Sequence, residues 1–144
     1  MNNQPNSNVG SETNAIPEYV LTAAEWWAKA IATPTHNLGD TSRTGEIASM
    51  LINMINMRNP ITPEQIELFK KALIPLIEEE LETRGSCFLA VDYNPDFSLA
   101  RAAKEAGIEN MRCFPCKTQM YVSSFLVEVS AGASQPYKTL WSKA

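Results

Sequence analysis

The stretch CFLAVDYNPDFSLARAAKEAGIENMRCFPCKTQM, residues 87–120, decides how the rest of the chain is read. Cys87 to Asp92 is a short apolar run bounded by Gly85 and by an Asp-Tyr-Asn-Pro turn, the pattern of a strand. Pro95 to Ala106 carries Leu99, Ala102 and Ala103 on one helical face, and Gly107 closes it. Met111 to Phe114 then reads as a second strand. Strand, helix and strand in this order predict a β-α-β crossover, and open α/β sheets gather ligand-binding groups where such a strand ends and its helix begins. Asp92 and Tyr93 fall at that junction, with Asn94 as the expected helix N-cap and Asp96 in the first helical turn. No glycine-rich phosphate loop follows the strand, which argues against a nucleotide-binding Rossmann domain.

Toward the C-terminus, Gln119 to Ser123 and Phe125 to Ser130 are apolar-rich and meet at Ser123-Ser124, the form of a hairpin. Tyr137 to Trp141 adds an edge strand. Toward the N-terminus the period changes to that of helices. Pro17 opens one that runs to about Thr33, with Val20, Ala23, Trp26, Trp27, Ala30 and Ile31 at helical spacing. Adjacent tryptophans sit about 100° apart on a helix, so one enters the core and the other lies at its edge. Ile47, Met50, Leu51, Met54 and Ile55, with Met57, form the stripe of a second helix, read as a gap-filling core face. Asn59-Pro60 breaks it. Thr62-Pro63-Glu64-Gln65 starts a third with a capping box, burying Ile66, Phe69, Leu73, Leu76, Ile77 and Leu81. Pro75 should kink this helix, and Glu78, Glu79, Glu80 and Glu82 form a solvated acidic face near its end.

The predicted architecture is therefore α+β: an N-terminal three-helix segment packed on a small mixed β-sheet containing one β-α-β crossover and a C-terminal hairpin. Residues 16–144 form a single domain, and residues 1–15, rich in Asn and Ser, read as a disordered tail. With 144 residues and 44% apolar content the chain can build a core without metal or disulfide support. The net charge of −4 and the scattered Lys and Arg argue against general nucleic-acid binding. Up to Ser86 there are 6 basic and 11 acidic residues, and from Cys87 onward 6 basic and 5 acidic, so an anionic ligand would favour the second half. No signal peptide or membrane span is legible, and three cysteines fit a reducing compartment, so the expected location is the cytoplasm.

Cys113-Phe114-Pro115-Cys116 has the spacing of redox dithiols and of zinc ligands. The following Lys117 to Ser123 reads as strand, and only 28 residues follow Cys116, too few for the rest of a thioredoxin fold. Cys87, Cys113, Cys116 and His36 together would make a Cys3His zinc set, but Phe-Pro between the cysteines is apolar. The reading preferred here makes at least two cysteines small buried hydrophobes and assigns no metal and no cofactor. The loop Gly39 to Gly45 carries more promise: His36, Asp40, Thr41, Ser42 and Arg43 surround a helix N-terminus, where hydroxyls, free backbone donors and a guanidinium can hold a phosphate or carboxylate. Ordinary helix capping is the plainer account of the same residues.

Three segments, His36 to Ser42, Val91 to Asp96 and Phe114 to Met120, resemble small uncharacterised proteins carried by phages and prophages of gut bacteria. These show a His-Asn-Gly-Asp-Thr-Ser-like turn, a Val-Asp-Tyr-x-Pro-Asp junction and a Phe-Pro-x-Lys-Thr-x-Met run in this order. The resemblance spans roughly Glu18 to Trp141 and implies a mobile-element accessory protein; it transfers no catalytic residue. The function expected is a small cytosolic binding protein that sequesters a small anionic molecule or a host protein, acting on host defence or metabolism. Its ligand-binding set is His36, Asp40, Thr41, Ser42 and Arg43 with Asp92, Tyr93, Lys117 and Thr118. The rivals are a phosphoester- or nucleotide-processing enzyme using His36 and Asp92, and a structural protein forming a homo-oligomer through Trp26 or Trp27 and the last strand.

Overall fold

The computed structural model describes residues 15–32, 47, 50, 51 and 60–144. Helix α1 (Glu18–Ala32) buries Val20, Ala23, Ala24, Trp27, Ala28 and Ile31, one face at three- and four-residue spacing. Trp27 is fully buried and Trp26 packs edge-on against it at 5.0 Å from the border of the core. Helix α2 (Pro63–Arg84) has the predicted capping box: Thr62 Oγ1 accepts from the Gln65 N–H, and Gln65 Oε1 accepts from the Thr62 N–H. It continues helically through Pro75 and ends at Gly85, whose φ of 81° is left-handed.

After Gly85 the chain enters strand β1 (Cys87–Val91), then helix α3 (Phe97–Glu105) and a single 3-10 turn at Met111–Cys113. Strands β2 (Thr118–Val122), β3 (Leu126–Ala131) and β4 (Lys138–Ser142) follow in a sheet of order β1-β2-β3-β4. Every pairing is antiparallel. The α+β class, the helices that precede the sheet, the hairpin turning at Ser123-Ser124 and the last edge strand are as predicted. No crossover exists, because β2 begins where β1 ends: Val91 is aligned with Thr118 and Cys87 with Val122. A parallel pair would require the chain to return to the Cys87 end. The short α3 and the 3-10 turn bring it back to the Val91 end instead. The predicted strand Met111 to Phe114 is that turn, capped by Asn110 Oδ1 on the Arg112 N–H at 3.0 Å.

The sheet has one covered face. Leu89, Val91, Met120, Val122, Val127 and Val129 point to the helices and are buried. Helix α1 lies on α2 and reaches β2, β3 and β4, and α2 also packs on β1 and α3. Phe114 enters this interface, 6.3 Å from the Trp27 ring and 5.7 Å from that of Phe69. The stripe read for the second helix is corrected where it can be seen: Ile47, Met50 and Leu51 are helical but 50%, 63% and 56% exposed, so they do not enter the core. Met54, Ile55 and Met57 lie outside the described residues, as do residues 1–14 of the expected tail.

Candidate functional site

The β1 end is built by Asp96. Its Oδ1 accepts from the Leu99 N–H at 3.0 Å, which makes it the N-cap of α3; the helix therefore starts at Phe97 and Asn94 is not the cap. The second oxygen, Oδ2, accepts from the Ala90 N–H at 2.7 Å, while the Asp96 N–H donates to the Ala90 carbonyl at 2.9 Å. One side chain thus starts a helix and closes the outer edge of β1 at Ala90, where an open edge would invite another strand. Burial raises the Asp96 carboxyl above its ordinary range, against the backbone donors of Leu99, Ala90 and Ser98, with the Glu80 charge adding to the rise.

Between β1 and Asp96 the chain projects Asp92, Tyr93 and Asn94 into solvent. Lys117 meets them from the other side. Its N–H donates to the Asp92 carbonyl at 2.8 Å and its carbonyl accepts from the Gly132 N–H at 3.1 Å, so the ends of β1 and β3 are tied to the start of β2 through one residue. The side chain joins as well: Nζ lies 2.5 Å from Asp92 Oδ1 and 4.5 Å from the centroid of the Tyr93 ring. The hydrogen bond to Asp92 holds the ammonium above the usual lysine range, against a smaller desolvation effect. Lys117 has a φ of 58°, left-handed backbone that costs a lysine about 1 kcal/mol or more relative to glycine.

Of the predicted site, Asp92, Tyr93 and Lys117 therefore converge. Thr118 does not face them: it is fully buried, and its hydroxyl donates to the Cys116 carbonyl at 3.3 Å. His36, Asp40, Thr41, Ser42 and Arg43 lie outside the described residues. Sequence reasoning missed Phe97, 76% exposed at the start of α3. With Leu99 facing inward, a residue two positions earlier is turned by about 200° and must face out; the signal was hidden by starting the helix at Pro95.

The cysteines are free thiols and all buried. Burial pushes Cys87 and Cys113 from an ordinary 9.0 up to about 12, with the charges of Glu80 and Asp96 adding to the effect at Cys87. Thiolates, the reactive and metal-binding form, are opposed at both. Cys87 also sits at the opposite end of β1 from Val91, whose partner Thr118 is two residues from Cys116; four strand residues span about 13 Å. The three thiols do not form one ligand set. Among the described residues no group of three or more His, Cys, Asp or Glu side chains is placed to hold a metal ion.

No family model matches the chain, and no curated protein matches it. Among solved structures it is similar to the BTG/Tob domain of FOG-3 from C. elegans, at 14% identity and a TM-score of 0.48, covering 65% of this chain and 86% of that one. At that identity and score the likeness assigns neither a family nor an activity. No described helix is long and apolar enough to cross a membrane.

Proposed function

We propose that the protein is a non-catalytic accessory protein that binds a partner protein through the β1 end, with Tyr93 and Phe97 as anchors and Asp92 and Lys117 as the polar pair between strands. The observation that carries this reading is the exposure of two aromatic rings, 60% for Tyr93 and 76% for Phe97, on a segment held rigid by the Asp96 and Lys117 hydrogen bonds. Large rings presented without loss of backbone freedom are the usual anchors of protein interfaces. The lysine in a backbone position that suits glycine supports the same site, since only its side chain offsets the strain. Capture of a small anion is less favoured, because the Lys117 charge is already matched by Asp92 at 2.5 Å. The resemblance to phage and prophage proteins supports a host protein as the partner and the bacterial cytoplasm as the place.

The test is affinity capture from host cells with wild type and with a Tyr93→Ala/Phe97→Ala double variant. Both side chains are exposed, so the variant should unfold within about 0.5 kcal/mol of wild type. Wild type is expected to retain a defined protein partner that the double variant loses by tenfold or more. Equal retention by the folded double variant would overturn the reading.

A further inference from the structure

The face of the sheet turned away from the helices carries a second feature, separate from the β1 end. Phe88 is aligned with Tyr121, Tyr121 with Glu128 and Glu128 with Thr139, one row across all four strands. Aligned residues on adjacent antiparallel strands share a face with their Cα atoms about 5 Å apart. The alternate residues Leu89, Met120, Val127 and Val129 are the ones buried under the helices, so this row lies on the uncovered side. Phe88 is 50% exposed, and Tyr121 and Glu128 are partly so.

Glu128 stands within this row without a cation: it forms no salt bridge among the described residues. The nearby lysines are directed elsewhere. Lys117 is on Asp92, Lys143 lies over the Phe125 ring at 5.2 Å, and Lys138 is aligned with Val129, a residue of the helix-facing set. An unmatched carboxylate beside Tyr121, with Phe88 one strand further, is complementary to a flat cation, which can stack on a ring and donate paired hydrogen bonds to the carboxylate. Guanidinium has that shape and is weakly hydrated, whereas ammonium is a compact and strongly hydrated charge. A nucleic-acid backbone would bring phosphate toward Glu128 on a chain of net charge −4, so the same face disfavours it.

We infer that the open sheet face is a docking surface for an extended, arginine-bearing segment of a protein, whose guanidinium stacks on Tyr121 and pairs with Glu128. This inference stands apart from the reading of the β1 end and survives if that reading fails. The test titrates full-length, 15N-labelled protein with an acetylated and amidated Gly-Val-Arg-Val-Gly peptide, and with the same peptide carrying citrulline, its neutral isostere, in place of arginine. The arginine peptide should shift the resonances of Phe88, Tyr121, Glu128 and Thr139. Citrulline in the peptide, or Glu128→Gln in the protein, should each weaken binding about tenfold, the scale of one lost charge-assisted hydrogen bond. Thr139→Lys, which supplies an internal ammonium beside Glu128, should weaken it similarly and serves if Glu128→Gln disturbs the fold. Absence of binding, equal binding of the two peptides, unchanged affinity in both folded variants, or shifts gathered at Asp92, Tyr93 and Lys117 would each overturn the inference.

Discussion

Cys116 and Lys117 are neighbours in sequence and opposites in the fold. The Cys113 to Cys116 turn points inward: both thiols are buried, and Phe114 fills the space between Trp27 of α1 and Phe69 of α2. One residue later the backbone turns left-handed, and the Lys117 side chain meets Asp92 and Tyr93 at the surface. The motif with the more familiar chemical spacing is thus structural, and the plainer Lys-Thr step beside it supplies the candidate site. Spacing identifies residue types that are able to react, but burial decides whether they ionise. In this turn the aromatic residue between the cysteines, rather than the cysteines, explains why the segment is held where it is.

The contrast is open to direct attack. The largest effect should come from Phe114→Ala, which empties the junction of α1, α2 and the turn and should cost about 3–5 kcal/mol in denaturant unfolding; a loss below about 1 kcal/mol would remove Phe114 from its place as the plug. On the outward side, Asp96→Ala removes the α3 cap and leaves the Ala90 N–H without its acceptor, a combined cost of about 2–4 kcal/mol. Unfolding within error of wild type would show that Asp96 does not organise the β1 end. The smallest effect concerns pH. Cys87 and Cys113 are raised in the folded state, so the stability linked to them is complete below the unfolded thiol value of 9.0 and is lost as pH rises toward about 12. By pH ~10 the loss should be roughly 1 kcal/mol per thiol. Wild type should therefore lose more stability than Cys87→Ala/Cys113→Ala between neutral pH and pH ~10; parallel curves would mean that the thiols ionise as readily folded as unfolded.

The sheet and the helices differed in how well they could be read. The α2 start was legible to the residue, because a capping box is a contact between positions three apart and needs no tertiary partner. The α3 start was misplaced by two residues, since Asp96 was chosen as cap by a contact outside the helix, the Ala90 N–H across the β1 edge. Apolar periodicity likewise assigned Ile47, Met50 and Leu51 to a core face that does not bury them: it defines a stripe but not what covers it. Asp92, Tyr93 and Lys117 were selected for lying beside strand ends, and they meet although the crossover that motivated the choice does not exist. An antiparallel return brings the start of β2 to the end of β1, so the junction remains where the chain reverses.

By itself the sequence determined what local physics controls: the helix periods, the Thr62 to Gln65 cap, the Gly85 stop, the hairpin at Ser123-Ser124 and the α+β class that follows from their order. Tertiary structure alone decided the strand directions, the burial of the thiols, the double duty of Asp96 and the meeting of Lys117 with Asp92 and Tyr93. Each of these depends on contacts between residues far apart in the chain, where no spacing rule applies and the shared core selects the arrangement.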